Sequence, residues 1–296
     1  MRWPEPGPEP AAEPGAEAEP WLAAARRRFH AACLAGAITQ TRGLPSIADV
    51  SNGPSRDIAT ALVARIGPLQ DRQDKPAGQT AGAQFEIACQ GFLAESLSRL
   101  AHLRPGGFSV ERGRTIAQFA QYAHLEELRL LADQNRTLKT HLGADYLIKP
   151  DVVVLRAPLS DAAINQGGPM VGGDVARLSS LRAGNMARTT LHASISCKLT
   201  IRSDRVQNTR SEALNLIRNR KGRLPHIVAV TAEPAPSRLA AIALGTGDID
   251  CVYHFALPEL LDVLAAQHRE SLDLVQTLIE GDRLRDIADL PLDLLI

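Results

Sequence analysis

The chain has 296 residues, 45% hydrophobic and 22% charged, with 33 Lys and Arg balancing 33 Asp and Glu to a formal net charge of zero. That is enough apolar material for one large domain, and no apolar run is long enough to span a bilayer. Neutrality excludes a uniformly cationic coat and leaves attraction to a polyanion to local asymmetry of charge. Cys33, Cys89, Cys197 and Cys251 are far apart and lack metal-ligand spacing, which suits reduced core thiols in a cytoplasmic protein and argues against zinc.

In chain order, residues 1–20 are rich in Pro, Glu, Ala and Gly, without a basic start and apolar core, and read as a flexible leader before a single domain, 21–296. A helix is predicted from Trp21 to Ala37, then a loop from Thr41 to Arg56 and a helix over Ile58 to Ile66. A second loop, Pro68 to Gly82, leads to a long amphipathic helix, Ala83 to His102, stopped by Pro105-Gly106-Gly107. A helical segment around His124 to Asn135 precedes a strand at Tyr146 to Leu155. Residues Ser160 to Asn185 read as irregular and then as a short helix. Further strands are predicted near Leu191 to Leu199, Ile227 to Ala232 and Cys251 to Phe255, with a helix from about Thr209 to Gly222 and a helical tail from Pro258 to Leu284. The fold class is therefore α/β, a central mixed β-sheet flanked by α-helices.

Two stretches carry chemistry. Lys149-Pro150-Asp151-Val152-Val153-Val154 opens an apolar strand with an acid, and Ser194-Ile195-Ser196-Cys197-Lys198 closes an alternating strand with a lysine. An aspartate and a lysine on neighbouring strands can face one point, hold Mg²⁺ and steady negative charge on a phosphate. The pattern is that of a PD-(D/E)xK nuclease, although on spacing alone a strand-end Asp and a solvated Lys remain open. Charge sharpens the reading: from Lys198 to Arg223 eight Lys or Arg stand against two acids, Asp204 and Glu212. The position two before Lys198 is Ser196, which cannot supply the usual second carboxylate. That acid has to come from elsewhere, and Glu212 is placed to provide it.

The run from Ser196 to Gly222, including Arg202-Ser203-Asp204-Arg205, resembles the corresponding block of the NgoMIV-like type II restriction endonucleases, which cut at a CCGG core. The likeness is dense from about Ile148 to Gly222, patchy from Pro45 to Phe92 and thin in the leader and the last forty residues. It implies a restriction-endonuclease-like fold and Mg²⁺-dependent hydrolysis of double-stranded DNA, with two Mg²⁺ per active site. The catalytic set it implies is Asp151, Lys198, Glu212, Glu86 and the Ser196 position, with metal held by Asp151, Glu212 and the Cys197 backbone carbonyl. For Glu86 a second reading stays open, a helix-start Glu favoured by the macrodipole.

Arginine can read guanine and aspartate can accept from cytosine N4. Arg202, Asp204 and Arg205 therefore suit a C·G-rich core, and the resemblance gives them the CCGG reading. It points to Asp49, Ser51, Gln79 and Arg238 for the outer base pairs, although each is also ordinary loop chemistry. Together these imply the site GCCGGC, cut after its first G to leave 5′ overhangs and 5′-phosphates. A palindrome requires at least a homodimer. The family precedent is a homotetramer, accompanied by a separate cognate DNA methyltransferase that is not a stable subunit. Two other readings remain open: a repair or structure-specific nuclease on the same core, and a non-catalytic DNA-binding protein on that scaffold.

Overall fold

The computed structural model describes residues 19–69, 78–104, 106–142 and 148–296. Most of the leader, Tyr146 and Leu147 therefore lie outside the described residues. Helix α1 (Trp21–Ala32) runs on through a π-helical turn, Cys33–Ala37, as expected. The first loop contains a small hairpin of β1 (Gln40–Thr41) and β2 (Leu44–Pro45). Helix α2 (Gly53–Ile66) begins earlier than periodicity suggests, because the Asn52 side chain caps it by accepting the Ser55 N–H at 3.0 Å.

Helix α3 (Gly78–Arg99) also starts earlier than expected, so Gln79 is on its first turn and not in a loop. Glu86 is two turns inside the helix, which removes the helix-start reading for it. The rings of Phe29, Phe85 and Phe92 join α1 to α3 at centroid separations of 5.4 and 6.3 Å. Burial of such rings is a large part of the apolar driving force here.

The rest of the chain builds the sheet. Strand β3 (Phe108–Arg112) is followed by α4 (His124–Gln134), α5 (Arg136–Leu142) and β4 (Val152–Arg156). Helix α6 (Asp161–Ile164), capped by Ser160, opens the irregular region instead of closing it. Then come β5 (Thr190–Lys198), α7 (Ser203–Asn219), β6 (His226–Thr231), α8 (Pro236–Ala243) and β7 (Cys251–His254). The expected helical tail is two helices, α9 (Leu257–Gln267) and α10 (Arg269–Glu280), followed by β8 (Leu284–Asp286) and α11 (Leu290–Asp293).

Among the described residues the main sheet has six strands in the order β3-β4-β5-β6-β7-β8, where four were expected. Neighbours are antiparallel from β3 to β5 and parallel from β5 to β8. The two strands not anticipated are its edges: β3 is short and half polar, and β8 has three residues. The central strands are nearly continuous apolar runs, as strands covered on both faces must be. Among the described residues no helix is long and apolar enough to cross a membrane. All four cysteines are free and buried.

Candidate active site

Antiparallel pairing of β4 with β5 sets Val152 opposite Ile195, which carries Asp151, one residue earlier, to the end of β5. There Asp151 Oδ2 accepts two hydrogen bonds, from the Cys197 N–H at 2.7 Å and from Lys198 Nζ at 2.8 Å. Both side chains are about a fifth exposed, so the pair lies at the rim of the core and open to a ligand. Burial disfavours the Lys198 ammonium, but Asp151, with Glu212 beyond it, outweighs that and lifts the lysine above its ordinary pKa.

The second acid arrives on α7. Ser196 Oγ, in the slot where a carboxylate is commoner, lies 3.4 Å from Thr209 Oγ1. Glu212 is one turn further along the same helix and therefore on the same face. Burial raises its pKa, the Lys198 charge lowers it, and the Asp151 charge raises it again. Glu212 thus belongs to the same electrostatic cluster as Asp151 and Lys198. Two carboxylates around a single lysine give the cluster a formal excess of negative charge that a divalent cation would balance.

That donor set fits Mg²⁺, which takes one or two carboxylates and completes its shell with water and substrate phosphate. Among the described residues no group of three or more His, Cys, Asp or Glu could hold a metal by itself. Glu86 is less free than its companions. Arg112 grips its Oε2 at 2.6 Å and 3.2 Å, and Arg112 is paired in the sheet with Val152, the neighbour of Asp151.

The predicted base readers fall into two groups. The Arg202-to-Arg205 segment is not a loop: Arg202 is the extended N-cap of α7, and Asp204 and Arg205 are in its first turn. An acid at that position favours helix initiation, which is why the helix starts six residues earlier than Thr209. Arg202 and Asp204 are exposed, and the Arg205 side chain lies outside the described residues. In the second group, Arg238 on α8 donates to Asp49 Oδ2. Asp49 Oδ1 in turn accepts from the Ser51 N–H at 3.0 Å and the Ser51 hydroxyl at 2.6 Å. Those Ser51 bonds, and then Arg238, hold the Asp49 carboxyl below its ordinary pKa. Three residues scattered over the sequence thus form one patch. Gln79 is exposed, and no hydrogen bond joins it to that patch among the described residues.

The basic run is also divided. Arg210 turns inward to Asp248 and to the carbonyls of Ile242 and Leu244, which gives it a structural partner set, whereas Arg218 stays on the exposed face of α7.

Three polar residues at or beside the site escaped sequence reasoning. Arg112 had no local pattern to mark it. Thr209 became visible only once α7 was placed against β5. Glu233 is fully buried immediately beyond β6, and the sequence Thr231-Ala232-Glu233-Pro234, an acid closing an apolar strand, was a usable signal.

Comparison with known proteins matches residues 29–296 to the family model of the NgoMIV restriction enzyme. A relative from Neisseria gonorrhoeae, type II restriction enzyme NgoMIV, is 50% identical over 285 residues, covering 94% of this chain and 99% of that protein. The similarity therefore extends through the C-terminal forty residues, where the sequence reading found it thin.

Proposed function

Because the chain belongs to the NgoMIV restriction enzyme family, and is thus a type II site-specific deoxyribonuclease acting on DNA, we propose that Asp151, Glu212 and Lys198 are its Mg²⁺-dependent catalytic centre. The observation that carries this reading is the shared cluster: Asp151 Oδ2 bonded to Lys198 at 2.8 Å, with Glu212 coupled electrostatically to both. Asp151 and Glu212 would hold the metal, together with the Cys197 backbone carbonyl. Bound there, Mg²⁺ supplies Lewis acidity toward the phosphate and a more acidic water.

The remaining steps belong to the protein. Lys198 keeps its proton, because Asp151 holds its pKa up, and offers that charge to a non-bridging phosphate oxygen or to the attacking water. Asp151 Oδ2 is oriented by the Cys197 N–H, so the carboxylate need not reorganise when DNA arrives. Ser196 acts through Thr209, which orients the helix face bearing Glu212. Glu86, held by Arg112, stands as an outer acid of the same site.

For recognition, Arg202, Asp204 and Arg205 read the CCGG core, and Asp49, Ser51, Arg238 and Gln79 read the flanking pairs. The proposed site is GCCGGC, cut after the first G, with two Mg²⁺ per active site. Each half-site needs its own copy of these residues, so the working unit is at least a homodimer and, on the family precedent, a homotetramer. A separate cognate methyltransferase would protect the host's copies of the site.

Run-off sequencing of a plasmid digested with Mg²⁺ tests the proposal. Discrete ends within GCCGGC support it. Discrete ends in another sequence refute the site, and smearing on intact duplex refutes the sequence reading as a whole.

A further inference from the structure

Glu233 has no part in the catalytic cluster, yet its side chain is fully buried. A carboxylate removed from water must be repaid by partners, and the partners of Glu233 come from both reading groups. Its Oε2 accepts the Ile201 N–H at 2.7 Å, and its Oε1 accepts the Ala235 N–H at 3.1 Å. Arg238 Nη1 lies 3.8 Å from Oε2. The backbone of Glu233 is fixed as well, its N–H donating to Thr231 Oγ1 at 3.1 Å and its carbonyl lying 3.2 Å from His254 Nε2.

Ile201 is the residue before Arg202, and its side chain is buried too. The point from which Arg202 and α7 depart is therefore pinned twice, by packing and by Glu233. Ala235 is the N-cap of α8, which carries Arg238, and Arg238 holds Asp49. One carboxylate thus links the start of the inner reading segment to the outer patch.

We propose that Glu233 is a positioning residue for sequence specificity, fixing the register between the Arg202 segment and the Asp49-Arg238 patch so that inner and outer base pairs are read as one unit. This rests on those two groups facing bases, as proposed above. Glutamine in place of Glu233 keeps the shape, but its amide nitrogen cannot accept one of the two N–H groups that the carboxylate now serves. The cost should appear in discrimination more than in turnover, because none of the partners of Glu233 is Asp151, Lys198 or Glu212.

The test measures kcat/KM of full-length Glu233→Gln with Mg²⁺ on three duplexes: GCCGGC, a variant with one outer pair changed, and a variant with one inner pair changed. The expected result is a loss of discrimination of about 10-fold or more at both positions, with cognate cleavage reduced less than that. Equal loss on all three duplexes, or loss at one position alone, overturns the proposal. Arg202→Ala is the control: if it leaves discrimination intact, base reading by that segment fails, whereas an effect there with none in Glu233→Gln refutes Glu233 alone. Should Glu233→Gln not fold, Arg238→Ala measured on the same duplexes decides. Coupled reading requires it to weaken inner as well as outer discrimination, and an effect confined to the outer pair refutes the link.

Discussion

Lys198 places its Nζ 2.8 Å from Asp151 Oδ2, the same carboxylate oxygen that accepts the Cys197 N–H. The pair spans two strands whose register is set by apolar residues, so the sheet core and the proposed catalytic geometry are one construction. Asp151→Asn removes the anionic ligand and Lys198→Ala removes the cation. Each should lower cleavage by at least about 10²-fold, the scale of losing one preorganised charge-stabilising group, while gel shifts in Ca²⁺ still show specific binding. Near-normal turnover by Lys198→Ala would remove the lysine from the mechanism.

Arg202 and Arg218 are both exposed on or beside α7, but only Arg202 lies in the segment proposed to read bases. Arg202→Ala should lose about 1–3 kcal/mol of discrimination against a wrong base pair. Arg218→Ala should weaken binding equally on every sequence and flatten the salt dependence. Competition binding on cognate and altered duplexes at several salt concentrations separates the two. Uniform weakening by Arg202→Ala would mean a phosphate contact.

Glu86 and Arg112 form an ion pair with both side chains only about a quarter exposed, so removing one charge leaves the other partly desolvated without its partner. Glu86→Gln should therefore lower the melting temperature to some degree and, separately, lower metal affinity about 10-fold, as loss of an outer-sphere partner does. Titration of Mg²⁺ dependence in the cleavage assay is the measurement. An unchanged Mg²⁺ midpoint would reduce Glu86 to a partner of Arg112.

The acid and lysine proposed as catalytic could be picked out in the sequence because each terminates a strand whose apolar pattern is strong, so Val152 to Val154 and Leu191 to Cys197 announce both the element and its charged end. Ser196 in the usual acid position called for a carboxylate from elsewhere, and the family resemblance pointed to Glu212. The edge strands were not legible, since β3 mixes Ser109, Glu111 and Arg112 with two apolar residues and β8 is too short to carry a period. Nor was the start of α7, where Ser203-Asp204-Arg205 has loop composition and helix geometry, the N-terminal acid deciding between them. The pairing of Asp49 with Arg238, 189 residues apart, is a tertiary fact that no local pattern encodes.

His254, the last residue of β7, is buried, and its Nδ1 accepts the Ala256 N–H at 3.2 Å, which leaves Nε2 to carry the proton donated to the Glu233 carbonyl. Burial pushes its pKa down to about 4, against opposing pulls from Asp286 and the two backbone bonds. His192 is lowered to about 4 as well, first by burial, with the nearby positive charges of His226, Arg104 and Arg156 adding to it. In the unfolded chain both would take up a proton near pH 6.5. Between there and about pH 4 the unfolded state binds more protons than the folded one, so stability is full above that window and falls as pH drops through it. For His254 the slope approaches about 1.4 kcal/mol per pH unit. Urea unfolding of the metal-free protein should show its midpoint falling from about pH 6.5 to about pH 4.5, and His254→Gln should remove part of that slope. A midpoint that does not move over those two units would show that neither histidine is held neutral by the fold.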